Sequence, residues 1–241
     1  VSVAPAVVEL DALLEASDRD LVRLGGDPIH RDWRRFRPLA LDREEAWSDW
    51  LASLLETSRT GVLARNMFGG HADDLARPSD VRREWCLPGG YRADLGVRLR
   101  SGTWLHVEVK VGDDAFAKTY DTGAALRAEV GTSASVRDYI LLPDADLDAW
   151  DDATRWHAKK FEFTVTPITW RRVVTGLRRA LRAGGETPFW EAWAYGFAGA
   201  AQQVLLGHPI VGGGVALERQ PLHRLAALAS LADVMRQEVS Q

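Results

Sequence analysis

The chain is poor in sulfur: its 241 residues include one cysteine and two methionines. With Cys86 alone, an internal disulfide is excluded and a reducing compartment such as the cytoplasm is expected. No neighbouring residue activates that thiol, so it is expected to be buried and structural. Apolar runs long enough to span a bilayer are missing. The opening VSVAPAVVEL lacks a basic start and is broken by Glu9 and Asp11, so it is not read as a signal peptide. There is no internal repeat or low-complexity tract. Gly212-Gly213-Gly214 has neither a preceding strand nor a following Lys-Ser or Lys-Thr, and reads as a linker rather than a phosphate cradle. Positive charge is not in excess either, since the formal net charge is -4. That speaks against global attraction to nucleic acid but leaves room for local basic patches. What remains is an ordinary soluble composition, 46% hydrophobic and 27% charged, in a chain long enough to bury a substantial core.

The most informative stretch is Tyr91 to Lys110, YRADLGVRLRSGTWLHVEVK, which alternates apolar and polar residues like a half-buried antiparallel hairpin. Ala93, Leu95, Val97 and Leu99 are expected on one face, with Arg92, Asp94, Gly96 and Arg98 on the other. On the second strand Leu105, Val107 and Val109 oppose His106, Glu108 and Lys110. Register decides whether the charges meet. A two-residue Ser101-Gly102 turn sets polar against apolar. A three-residue loop, Arg100-Ser101-Gly102, with Gly102 at positive φ, instead pairs Leu99 with Thr103, Val97 with Leu105, Leu95 with Val107, and Asp94 with Glu108. Facing side chains have roots about 5 Å apart, so both carboxylates reach one ion.

Asp94, thirteen intervening residues, and then Glu108-Val109-Lys110 resemble the motif of the PD-(D/E)xK nuclease superfamily. There an acidic residue ends or bends one strand and an acid-x-lysine follows on the next; here Ala93 stands in place of the proline. Residues 42–55, DREEAWSDWLASLL, resemble the first helix of one branch of these nucleases, with Glu44 four residues before Ser48. Helix geometry agrees. Trp47, Trp50, Leu51, Leu54 and Leu55 form an apolar stripe, Glu44 lies on its border, and Glu45 points away to complete a capping-box-like pair with Asp42. The likeness covers roughly residues 40–205 and implies an α/β fold. Its core would be restriction-endonuclease-like, αβββαβ, a mixed central sheet flanked by helices with extra N- and C-terminal helices. The corresponding domain plan is a helical segment at 1–40, the nuclease-like domain at 41–207, and a Gly-rich linker with an amphipathic helix at 208–241.

The remaining elements are read in order. Residues 6–24 form one or two helices, with Ser17 a cap and Gly25-Gly26 a stop. In HRDWRRFRPL, Arg34 and Arg35 lie among arginines and aromatics that grip phosphates or, more simply, form a solvated basic face. Gly69 to Asp74 is a polar loop around His71 without metal-ligand spacing. A helix over 62–68 and strands over 81–87 and 136–142 follow from periodicity. Asp113 caps a helix from Asp114 to Val130, and Phe161 to Thr166 is a short strand. Thr169 caps a helix with a Trp170, Val173, Val174, Leu177, Leu181 stripe and an outer face of Arg171, Arg172, Arg178, Arg179 and Arg182. Thr187-Pro188 starts a helix that ends at Gly207, with Phe189, Trp190, Trp193, Tyr195 and Phe197 in the core. Residues 221–236 form a last helix, with Leu222, Leu225, Leu228, Leu231 and Met235 packing on the body, on a second copy or on a partner subunit.

The resemblance implies a Mg²⁺-dependent deoxyribonuclease, with Mn²⁺ able to substitute, acting as an endonuclease in bacterial defence, restriction or repair. Asp94, Glu108 and the backbone carbonyl of Val109 would hold the ion, with Glu44 helping indirectly, while Lys110 acts on water or the transition state. Lys118 stands nearest to the position where the nucleases it resembles often carry a supporting glutamine or lysine, although it falls opposite Phe116. Arg34, Arg35, Arg92, Arg98, Arg171 and Arg172 are candidates for contacting DNA. The competing expectations are a binding or interaction module that keeps the fold without catalysis, and a hydrolase of another phosphoester.

Overall fold

The computed structural model describes residues 4–33, 43–69, 78–112, 116–157, 159–210 and 221–239. The expectations placed on Arg34, Arg35, Asp42, His71, Asp113 and Gly212 to Gly214 lie outside those residues.

Among the described residues five strands form one open mixed sheet: β1 (Asp80–Cys86), β2 (Arg92–Arg98), β3 (Trp104–Val109), β4 (Val136–Leu142) and β5 (Val165–Thr169), in that spatial order. The first three are antiparallel neighbours, whereas β3, β4 and β5 run parallel. The helices are α1 (Ala4–Asp20), α2 (Glu44–Thr57), α3 (Val62–Phe68), α4 (Ala117–Val130), α5 (Leu147–His157), α6 (Trp170–Ala183), α7 (Pro188–Val204) and α8 (Pro221–Val239). Among the described residues no helix is long and apolar enough to cross a membrane.

The hairpin register is the one that matches its apolar faces. Leu95 pairs with Val107 and Val97 with Leu105, and Leu99 donates its N–H to the Thr103 carbonyl at 2.8 Å. Gly102 has φ +88, which L side chains rarely adopt, and closes the odd-length loop. Leu95, Val97, Leu99, Leu105, Val107 and Val109 join one apolar cluster with α2, α3, α6 and α7. Within it Trp47 meets the edges of Trp170 and Phe197, at centroid distances of 5.8 and 5.5 Å. On the other face, α4 and α5 cover the sheet through Phe116, Tyr120, Leu126 and Trp150. The helix α4 comes close there because residue 123 is glycine: a Cβ at that position would stand 2.6 Å from Asp138 Oδ1.

Several expectations are corrected. Ala93 packs with Leu87, Trp104 and Leu126, away from the cluster that holds Leu95, because β2 bends between them. Cys86 is exposed, since it ends an edge strand whose outer face meets solvent. Ser17 is no cap: α1 runs through it, and its hydroxyl accepts from Arg178 at 2.7 Å. Arg178 lies not on an outer face but fully buried, where i+4 from Val174 and i−3 from Leu181 put it. Phe161 and Phe163 do not enter a strand; they pack on Tyr120, and β5 begins at Val165. The helix α5 was not anticipated, because LDAWDDATRWH is charged and anchors chiefly through Trp150. Phe189 and Trp193 are exposed, although Trp193 still meets Trp50 edge-on at 5.5 Å.

The expected caps at Thr169 and Thr187 are present, accepting from Arg172 N–H and Trp190 N–H. The C-terminal helix packs on the body: Leu231 and Met235 are buried with Leu10, Leu14 and Ile29. The side chains of Leu222 and Leu225 lie outside the described set.

Candidate functional site

The β2 ladder to β3 stops at Leu95 and Val107. One step further, the Val109 N–H donates not to a facing carbonyl but to the side chain of Asp94, Oδ2, at 2.8 Å. On the other side of β2, Arg83 pairs with Leu95 and Trp85 with Ala93, and the pairing between them is interrupted where Glu84 stands opposite Asp94. Glu84 has φ +46, the one positive φ outside glycine among the described residues. Strained backbone of this kind costs roughly 1–3 kcal/mol and gathers at functional positions. Asp94 therefore sits at a bend that swings its carboxylate toward the end of β3.

Glu108, the next-to-last residue of β3, is fully buried, and neither carboxylate oxygen accepts from a backbone N–H or a hydroxyl. Its partners are ammonium groups: Lys110 Nζ lies 3.3 Å and Lys118 Nζ 3.9 Å from Oε1. Lys110 is 3% exposed and also lies 3.6 Å from Glu44 Oε1, in the first turn of α2. Four of the expected residues, Glu44, Glu108, Lys110 and Lys118, thus converge, with Asp94 held against the same strand end. Lys118 does so from off the apolar stripe of α4, because its long side chain reaches over the strand end.

Burial drives the Glu108 carboxyl above its ordinary range, and the Asp94 charge adds to this against the attraction of Lys110, His106 and Lys118. For Lys110, burial works against the charge, but Glu108, Glu44 and Asp94 together outweigh it and raise the ammonium's pKa. The Glu84 carboxyl is also raised, by burial first, with Asp94 and Glu45 adding repulsion and Arg92 opposing.

Beneath Glu108 runs a buried chain that the sequence reading did not identify. His106 and Asp138 face each other across β3 and β4. Burial works to raise the Asp138 carboxyl, but hydrogen bonds from His106 and Arg127 hold it below its usual range. An ionised carboxylate only accepts, so His106 Nδ1–H is the donor, at 3.0 Å. Its Nε2 has no hydrogen-bond partner and lies 4.0 Å from Glu108 Oε2. The available signal was a polar residue in the inward pattern of each of two strands, HVEV and RDYILL.

The arginine candidates are mostly engaged. Arg92 pairs with Glu84 at 2.6 Å, and Arg171 with Asp144 at 3.2 Å. Arg172 donates to the Asn66 carbonyl, and Arg98 is exposed at the loop end of the hairpin. Among the described residues no group of three or more His, Cys, Asp or Glu forms a ready cation cage. No family model, no curated protein and no solved structure matches the chain.

Proposed function

We propose that this chain is a metal-dependent endonuclease that hydrolyses DNA phosphodiester bonds, with the restriction-endonuclease-like αβββαβ core formed by α2, β1 to β3, α4 and β4. The observation that carries the reading is Glu108: a fully buried carboxylate, flanked by two ammonium groups and an aspartate, with no backbone or hydroxyl donor to either oxygen. A buried acid that served only packing would be held by fixed donors, as Asp27 is by the Ile29 N–H and Arg178, because a poorly satisfied buried group costs about 1–3 kcal/mol or more.

The donor set fits Mg²⁺ or Mn²⁺. Magnesium takes one or two carboxylates and keeps several waters, so a complete protein cage is not its habit. Asp94, Glu108 and the Val109 carbonyl would hold it, with Glu44 acting through water. When bound, the ion supplies Lewis acidity to a phosphate oxygen and lowers the pKa of a coordinated water. The chain's own groups do the rest. Asp94 is positioned by the Val109 N–H, Lys110 orients water or offsets charge growing on the phosphorane-like transition state, and Glu44 holds Lys110 in place. The Asp138–His106 chain supports the strand end that carries Glu108.

A panel of supercoiled plasmid, linear DNA, RNA and nucleotide substrates with Mg²⁺ or Mn²⁺ tests the reading. Plasmid nicking or linearisation is expected, and Lys110→Ala should reduce it at least about 100-fold, the scale for removing one transition-state donor. Undiminished cleavage by that variant, or turnover of nucleotides alone, would overturn it.

A further inference from the structure

A second polar feature opens on the same edge of the sheet as Lys110. Strands β3, β4 and β5 are adjacent and parallel, so their C-terminal ends lie side by side, about 5 Å from strand to strand. Lys110 follows β3, Asp144 and Leu147 follow β4, and Arg171 and Arg172 follow β5. The last four line a groove of about 1230 Å³ walled by α3, α6 and α8. Trp170 links the two features: its indole N–H donates to the Lys110 carbonyl at 2.9 Å, and its neighbour Arg171 lines the groove.

The walls are unlike. On one, Arg65 and Arg172 are exposed and Arg179 is half-buried. Arg172 donates to the Asn66 carbonyl, and Arg179 to the Asn66 side-chain oxygen at 2.7 Å. Both acceptors are neutral, as is the Gln237 carbonyl that Arg179 also reaches, so they fix the guanidinium planes without cancelling their charge. Glu238 also acts on Arg179 but is itself held by Arg178 and Arg182. On the other wall Asp233 pairs with Arg236 and lies 3.8 Å from Arg171, whose Nε is 3.2 Å from Asp144. That wall carries Asp144, Asp233 and Glu238 against Arg171 and Arg236 and presents carboxylate acceptors.

We propose that this groove holds a single nucleic-acid strand, with phosphates on Arg65, Arg172 and Arg179 and base edges toward Asp144 and Asp233. The inference deepens the nuclease reading and rests on it for the identity of the polymer. Guanidinium forks match phosphate oxygens, and carboxylates accept from base amino groups such as cytosine N4. An acidic peptide satisfies the arginine wall but brings more carboxylate against Asp144 and Asp233. A duplex keeps its Watson–Crick donors paired and offers those acceptors less.

Fluorescence anisotropy with the full chain, without divalent metal, tests the groove on labelled single-stranded and duplex oligonucleotides across a salt series. The single strand should bind more tightly. The Arg65→Ala/Arg172→Ala double variant should lose about tenfold or more in affinity, with a log–log salt slope shallower by about 1.4, two phosphate contacts at about 0.7 each. The Arg65→Lys/Arg172→Lys double variant should keep the slope, which separates charge from any change in fold. Unchanged affinity and slope in the alanine variant, preference for the duplex, or displacement by poly-glutamate as efficient as by unlabelled oligonucleotide would each overturn the inference. Groove-dependent binding with no cleavage in Mg²⁺ would uphold the groove and sink the nuclease; cleavage with groove-independent binding would do the reverse.

Discussion

Arg178 and Glu108 are both fully buried charges, yet their surroundings are opposite. The guanidinium of Arg178 donates Nε to Glu238 at 2.6 Å, one Nη to Asp27 at 3.0 Å, and the other to Ser17 at 2.7 Å and to Asp27. It joins α1, α6, α8 and the turn at Asp27, and the arginine's pKa rises further because these acids outweigh its burial. Glu108 has ammonium groups at 3.3 and 3.9 Å but no backbone or hydroxyl donor. Buried charge that is saturated with partners is architecture; buried charge left with open coordination is where a ligand can be recognised.

The comparison can be broken most severely at Arg178. Arg178→Ala leaves Asp27 and Glu238 without their shared cation and should cost about 3–5 kcal/mol, read as a fall in urea midpoint. An unchanged midpoint would remove the architectural half of the contrast.

Acid should release the same cluster. Burial pushes the Asp27 carboxyl up, but Arg178 outweighs it and holds the value at about 2. The unfolded carboxyl titrates near 4, so the stability Asp27 contributes is complete above about pH 4 and is lost as pH falls toward 2. That amounts to about 2–3 kcal/mol at roughly 1.4 per unit. Asp27→Asn, weaker at neutral pH, should show a correspondingly smaller loss between pH 4 and 2 when urea midpoints are compared.

A smaller effect probes the support of the open site. Gly123→Ala places a Cβ 2.6 Å from Asp138 Oδ1 and 3.1 Å from Phe163, and overpacking of this kind costs about 1–3 kcal/mol. Thermal unfolding should register it; a variant as stable as the parent would mean that α4 and β4 yield easily.

The smallest expected change is at Glu108 itself. Its folded pKa lies above its unfolded value, so its contribution to stability is largest at low pH and is lost as pH rises through the folded pKa. Wherever the carboxyl is ionised, its charge weighs against the fold. Glu108→Gln should therefore be as stable as the parent or more stable by up to about 1 kcal/mol, read by thermal unfolding, as functional sites often permit. A loss comparable with that of Arg178→Ala would make the two clusters alike.

Much of this was legible in the chain because register and faces follow from side-chain period. The three-residue loop was the one that matched Leu95 with Val107, and it carried Asp94 and Glu108 to the same strand end. The apolar stripe of α2 likewise placed Glu44 beside Lys110. What escaped were features set by tertiary context. The helical position of Arg178 was inward, but only Asp27 and Glu238, 151 and 60 residues away, make an arginine tolerable there. His106 and Asp138 become a pair only once β3 and β4 align in parallel, 32 residues apart. Phe161 and Phe163 looked strand-forming by type but found Tyr120 instead.

The central claim is that Glu108 and Asp94 form an open divalent-cation site. Thermal unfolding of the parent and of Glu108→Gln during a Mn²⁺ titration tests it most directly, because an ion that binds only the folded state raises the melting temperature with concentration. The parent should show a saturable rise that Glu108→Gln lacks. Equal shifts in both proteins, or none in the parent, would contradict it.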